Sequence, residues 1–159
     1  MVIRNGDIFN SEATTLVNPV NCSGVINKGP ALEFCGRYPD MADEYFDLCG
    51  KKKIKPGKPH FYVDESGISI LNFPTQKHWQ SPSKLSYIAR GLEWLRENYE
   101  KSGIETIAFP ALGCGQGGLQ FKNVYSLMEA MVSDLPICVE VYTPLSDTAR
   151  SGFGGGKDD

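Results

Sequence analysis

Along the chain, short apolar runs alternate with longer stretches whose apolar positions recur every three or four residues. "TLVNPVN" (15–21) is short, rich in β-branched residues and stops at turn formers, so it predicts a strand. "PALEF" and "MADEYFDLC" carry helical spacing, and a basic loop broken by Pro56-Gly57, "KKKIKPGK", follows them. "HFYVDESGISILNF" (60–73) reads as two strands around an Asp-Glu-Ser-Gly turn. The clearest helix is "SPSKLSYIARGLEWLRENYEKSG", with Leu85, Ile88, Leu92, Leu95 and Tyr99 on one stripe. Ser81 or Ser83 is the expected cap and Gly103 the expected stop. "ETIAFP" predicts a strand, a glycine loop follows, and Val124, Leu127, Met128, Met131 and Val132 then share one helix face before a last strand, "ICVEVYT". That alternation predicts an α/β fold, a mostly parallel sheet with helices on both faces.

At 159 residues the prior is one domain. The reading assigns residues 1–145 to it and 146–159 to a flexible tail or linker, because "SGFGGGKDD" has linker composition. A formal net charge of −3 excludes a wholly basic surface, so nucleic-acid affinity would have to come from a local patch. Five cysteines (22, 35, 49, 114, 138) and two histidines (60, 78) show no metal-ligand spacing. The expectation is a reduced, cytoplasmic protein with no metal. "MVIRNGD" is not a signal peptide, and no apolar stretch approaches the roughly 20 residues that cross a bilayer.

The densest chemical signal is "PALGCGQGG" (110–118), four glycines between a strand and a helix. Such a junction aims loop amides and the positive end of a helix dipole at one spot, and glycine lets backbone approach a ligand closely. An anion, above all a diphosphate, is the natural guest; the alternative is a tight turn without a ligand. Gly113, Gly115 and Gly118 satisfy G-x-G-x-x-G, yet the loop lies in the last βα unit and Glu140 lies inside its strand, unlike the dinucleotide fingerprint. No lysine follows Gly118, so it is no P-loop either.

A second cluster lies near the N-terminus. Asp7 ends the first strand, where it can accept from an exocyclic amine or simply cap a turn. Asn18 and Asn21 end the next strand, and the Lys28-Gly29 turn opens a helix, a second candidate cradle; the alternative is asparagine satisfying its own turn. Two cradles and a carboxylate suit a ligand with a base, a diphosphate and a second sugar.

With these residues in place the chain resembles the macrodomain family of ADP-ribose-binding modules. The matching residues are Gly6-Asp7-Ile8, Val17-Asn18-Pro19-Val20-Asn21-Cys22-Ser23-Gly24, Lys28-Gly29 and Pro110 through Gly118, covering roughly residues 1–145. "NFPTQKHWQSPS" (72–83) looks most like the DarG branch, antitoxins that strip ADP-ribose from DNA modified by the toxin DarT. The resemblance implies a three-layer α/β/α fold with a mixed, mostly parallel sheet, a hydrolase of ADP-ribosylated, single-stranded DNA, a DarT-type toxin as partner and no cofactor. It implies that Asp7 holds the adenine amine, Ile8 backs the ring and Asn21 reaches the distal ribose. Asn18 and Thr75 join the ligand site, while Lys28, Gly29 and the loop Gly113, Cys114, Gly115, Gln116, Gly117, Gly118 wrap the diphosphate.

Departures from that pattern bear on catalysis. The branch places its catalytic lysine after Phe-Pro-Thr; here that place is Gln76, with Lys77 next. Gly117 stands where some relatives carry an aspartate, "VIN" replaces Met-Gly before Lys28, and Pro30 follows Gly29. Glutamine hydrogen-bonds a ribose hydroxyl but neither attacks C1″ nor carries a proton. In an extended segment Lys77 would point away from whatever Gln76 touches. Gln76 and Lys77 remain the catalytic candidates, and three readings stay open: a slow hydrolase, a non-cleaving reader, and a substituted form that traps ligand. His78, Trp79 and Lys84 are candidate nucleic-acid contacts, as is the lysine run 51–58. The alternatives are a solvated loop for the lysines and a place beneath the next helix for Trp79. Cys114 reads as a backbone or packing residue because no histidine partner is placed beside it.

Overall fold

Residues 1–144 are described by the computed structural model; the expected tail at 146–159 lies outside the described residues. Among the described residues, six apolar runs pair into one sheet: β1 (Val2–Arg4), β2 (Thr15–Asn21), β3 (His60–Val63), β4 (Ser69–Gln76), β5 (Thr106–Phe109) and β6 (Cys138–Tyr142). Their spatial order is β1-β6-β5-β2-β4-β3, and every neighbouring pair is parallel except β3 and β4. The Asp64–Gly67 turn closes that antiparallel hairpin, as the sequence predicts.

The helices are α1 (Gly29–Arg37), α2 (Pro39–Gly50), α3 (Leu85–Asn98) and α4 (Phe121–Val132). Alternation along the strands divides the core in two. Val17, Leu71, Phe73, Ile107 and Phe109 pack under α3 and α4, with Ile88, Leu92, Val124 and Met128. Leu16, Val20, Ile70 and Ala108 pack under α1 and α2, with Phe34, Met41 and Tyr45. The fold is therefore the expected α/β/α sandwich with a mixed, mostly parallel sheet.

Two expectations about α3 need correction. Leu85 is exposed at the helix entrance; the buried face is Tyr87, Ile88, Gly91, Leu92 and Leu95. Neither Ser81 nor Ser83 caps the helix, whose cap position is Lys84 with no side-chain bond. Ser81 instead closes a turn, its Oγ donating to the His78 carbonyl at 2.8 Å. Ser83 donates its amide to the Gly117 carbonyl at 3.0 Å, tying this segment to the glycine loop. Local spacing identifies a serine near a helix start, but not which distant backbone competes for it.

At Gly91 α3 packs tightly on the sheet: a Cβ there would overlap the Phe73 ring. Gly91→Ala is expected to cost about 1–3 kcal/mol by overpacking, seen as a fall in Tm of several degrees. An unchanged Tm would mean that α3 slides freely on β4.

Candidate functional site

Loops that follow β2 and β5 leave the sheet toward opposite faces, β2 to α1 and β5 to α4. β2 pairs with β5 only through Thr15 and Leu16, so the two strands part before their C-terminal ends. A crevice opens at such a reversal point. Here it is a cleft of about 990 Å³ between the 25–31 segment, the 110–117 segment and the end of β4.

The register of β4 against β2 breaks at this end. Val20 pairs with Pro74 and Asn21 with Gln76, leaving Thr75 as an extra residue. A bulge re-aims side chains that strict alternation would separate. Thr75 and Gln76 accordingly both line the cleft. Gln76 donates its amide to the Ser81 carbonyl at 2.7 Å and to that of Trp79 at 3.3 Å, clamping the segment after the strand. Lys77 is exposed, its Nζ 5.8 Å from the Tyr87 ring centre, and does not line the cleft.

In the glycine loop the residues divide by task. Gly113 has φ +73°, and a Cβ there would sit 2.7 Å from Leu119 Cδ1. A Cβ at Gly117 would overlap Ser83 Oγ, which is buried without a hydrogen-bond partner among the described residues. Those two glycines let the loop close down on Ser83 and Leu119. Among the described residues Gly115 has nothing within 4 Å of its Cβ position, and it lines the cleft. Among the described residues the amides of Gly115, Gln116 and Gly117 donate to no protein acceptor. The N-terminus of α1 also borders the cleft through Lys28, Gly29 and Pro30, and first-turn amides of a helix have no partner within it. Two sets of donors thus border one space.

Asp7 lines the cleft and caps the short 3₁₀ turn Ile8–Asn10, its Oδ1 accepting from the Phe9 amide at 2.9 Å. Beside it Ile8 is buried, and Phe9 packs on Phe34 at 4.5 Å with the Arg37 guanidinium 4.2 Å from its ring centre. Asn21 lines the cleft while shaping the 21–25 turn. Its Oδ1 accepts from the Gly24 amide at 2.8 Å and the Ser23 amide at 3.1 Å, and its Nδ2 donates to the Val25 carbonyl at 2.9 Å. Cys114 borders the cleft, its thiol 3.5 Å from the Leu112 carbonyl. Trp79 is half-buried on the cleft wall, outside both apolar clusters and stacked on His78.

Asn18 is brought elsewhere. It faces the α2 side of the sheet and donates to Asn72 Oδ1 at 2.9 Å. Asn72 Nδ2 reaches His60 Nδ1 at 3.0 Å, so His60 carries its hydrogen on Nε2 and donates to Glu44 at 2.6 Å. Gly118, His78 and Lys84 also lie outside the cleft lining, and Lys84 shares the Tyr87 ring with Lys77. Sequence reading missed Phe9, Val25, Ile26 and the 142–144 segment as cleft walls. Phe9 had a signal, its adjacency to Asp7-Ile8; the segment after β6 had none.

Cys49 is buried and Cys22 and Cys35 are half-buried, which disfavours their thiolates. Burial, with Cys49 alongside, pushes Cys22 up to about 11, and burial also raises Cys35 and Cys49. No helix among the described residues is long and apolar enough to cross a membrane.

The family model described as Macro domain matches residues 17–128. A DNA ADP-ribosyl transferase-DNA ADP-ribosyl glycohydrolase fusion protein of Thermosipho africanus is 39% identical over 158 residues, covering 88% of this chain. The chain spans only 41% of that relative's length. Among solved structures, the macrodomain of Mycobacterium tuberculosis DarG superposes with a TM-score of 0.87 at 37% identity, covering 90% of this chain and 97% of that one. Thermosipho africanus DarTG in complex with ADP-ribose superposes with a TM-score of 0.84 at 39% identity, covering 91% of this chain and 42% of that one.

Proposed function

The chain belongs to the macrodomain family, and on that footing we propose that its cleft binds ADP-ribose and removes it from modified DNA. The observation that carries this reading is the row of amides without a protein acceptor among the described residues at Gly115, Gln116 and Gly117, residues that line a cleft the N-terminus of α1 also borders. Amides arranged this way replace water around a diphosphate at little reorganisation cost. In this reading the carboxylate of Asp7 accepts from the adenine amine, Ile8 backs the ring, and Lys28 and Gly29 close on the diphosphate. Asn21 reaches the distal ribose by exchanging one bond of its own turn. Asn18 holds the strands from behind through Asn72, and contributes to the site through that support.

Hydrolysis breaks the bond between C1″ and the base and forms one from C1″ to a water oxygen, through a cationic, oxocarbenium-like sugar; the water gives up one proton and the released base nitrogen gains one. Gln76 at the cleft wall orients a hydroxyl or the modified base, but delivers no proton. With Lys77 outside the cleft, release depends on positioning and electrostatics, which makes this a slow enzyme. Gln76 is also what favours a second reading, a module that binds ADP-ribose without cleaving it. A toxin that modifies DNA is the proposed partner, and the cytoplasm, where such DNA lies, the proposed location.

Free ADP-ribose is expected to raise the Tm, since a ligand at 100 times its Kd stabilises the fold by about 2.7 kcal/mol. AMP and ribose alone are expected to do much less. Differential scanning fluorimetry and calorimetry measure both, and no heat or shift at millimolar ADP-ribose would remove the reading.

A further inference from the structure

Half of the chain's cations lie in two segments without a carboxylate. Residues 48–63 hold Lys51, Lys52, Lys53, Lys55 and Lys58; residues 66–92 hold Lys77, Lys84 and Arg90; together these are eight of 16 Lys and Arg, and neither segment contains Asp or Glu. The first five line a shallow cavity of about 440 Å³ by themselves. Their loop is held in shape: Ile54 is buried in the core under α1 and α2, and Lys58 donates its amide to the Lys55 carbonyl at 2.8 Å. Asp47 pairs with Lys51 at 3.0 Å and His60 holds Glu44; the other four lysines have no carboxylate at ion-pair distance among the described residues. A fixed concentration of like charge in a chain of net −3 costs stability unless a polyanion offsets it.

The two segments meet in space and lead to the cleft. β3 runs antiparallel to β4 with His60 opposite Asn72, so the loop that precedes β3 lies at the end of the sheet where β4 delivers Gln76. Gly57 packs against Arg90 on α3, with its Cβ position 2.9 Å from Arg90 Cβ. Tyr87, one turn earlier on α3, has the Lys77 and Lys84 ammonium groups each 5.8 Å from its ring centre. Lys77 follows Gln76 directly.

We infer that this track, from Lys77 and Lys84 past Arg90 to Lys53, Lys55 and Lys58, binds the phosphate backbone of the single DNA strand that flanks the modified nucleotide. The inference rests on the DNA reading above and adds the path of the strand. Lysines on phosphates supply affinity without sequence preference, and they make binding salt-dependent. A substrate recognised by its ADP-ribose alone would not need them.

The test uses fluorescence anisotropy at several salt concentrations, with an ADP-ribosylated oligonucleotide of about 20 nucleotides and the same strand unmodified. Calorimetry with free ADP-ribose runs alongside. The triple variant Lys53→Gln, Lys55→Gln, Lys58→Gln is expected to reduce the slope of log affinity against log salt by about 2, at roughly 0.7 per phosphate contact on a single strand. Its Tm and its affinity for free ADP-ribose stay unchanged. An unchanged slope with intact Tm would overturn the track, as would wild-type protein binding the modified strand no more tightly than free ADP-ribose at low salt. If ADP-ribose fails to bind while the unmodified strand still shows a lysine-dependent slope, the track stands and the ADP-ribose reading falls.

Discussion

Exchanging Gln76 for lysine is expected to raise the release of ADP-ribose from modified single-stranded DNA by about 10²–10⁴-fold, with affinity for free ADP-ribose little changed. The position lies on the cleft wall, one residue past the extra residue at Thr75, so a side chain there meets whatever occupies the cleft. An amide only donates and accepts hydrogen bonds; an amine also attacks C1″ or positions the modified base as it leaves. The new ammonium can keep a bond to the Ser81 carbonyl that Gln76 now holds, so the 77–81 segment need not collapse. Single-turnover release from an ADP-ribosylated oligonucleotide measures the gain. Lys77→Ala serves as the control: at saturating protein its release rate is expected to be unchanged, because Lys77 lies over Tyr87 and outside the cleft, while its affinity for the strand falls with the lost phosphate contact. No gain in Gln76→Lys with binding intact would refute the assignment, and loss of native activity in Lys77→Ala would transfer the role to Lys77. Rapid turnover by the unaltered chain, insensitive to Lys77→Ala, would mean that the loops and a bound water suffice.

Gly115→Val is expected to weaken ADP-ribose binding strongly while leaving the fold intact. Among the described residues nothing lies within 4 Å of the Gly115 Cβ position, so a side chain there points into open space that a ligand in the cleft would fill. Losing two charge-assisted bonds from loop amides, at about 1.5–3 kcal/mol each, weakens binding by about 10²-fold or more. Calorimetry reads the loss and circular dichroism the retained fold. The neighbouring positions behave differently in kind: a side chain at Gly113 or Gly117 collides with Leu119 or Ser83, so substitution there damages the loop itself. Unchanged affinity in Gly115→Val would make the glycines a turn and nothing more.

The strands, the helices and the glycine loop were legible because each is written locally, in period or in composition. Helix α4 illustrates this: Val124, Met128 and Val132 are buried, as their spacing predicts. What escaped was non-local. Asn18 reads as a polar strand end near a ligand, but the residue that accepts from its Nδ2, Asn72, is 54 positions away. Ser83 reads as a cap, but the carbonyl that takes its amide belongs to Gly117. Gly91 carries no turn signal, since its small size matters only against Phe73. The irregularity at Thr75 is invisible in β4 alone, because a bulge is a property of two strands. Pro74 marks it after the fact, proline being tolerated in a sheet at such breaks.

Ser83 and Gln76 together give the cleft a thermodynamic character. Gln76 fastens the segment after β4 at Trp79 and Ser81, and Ser83 fastens the same segment to Gly117. The end of β4 and the glycine loop are thus tied into one body by hydrogen bonds of the fold itself. Each residue of an untied loop would lose about 1–2 kcal/mol of backbone entropy on being fixed at binding. If the cleft takes ADP-ribose as proposed, these bonds meet that loss in folding, so contact energy from the amides goes into affinity rather than into ordering the loops.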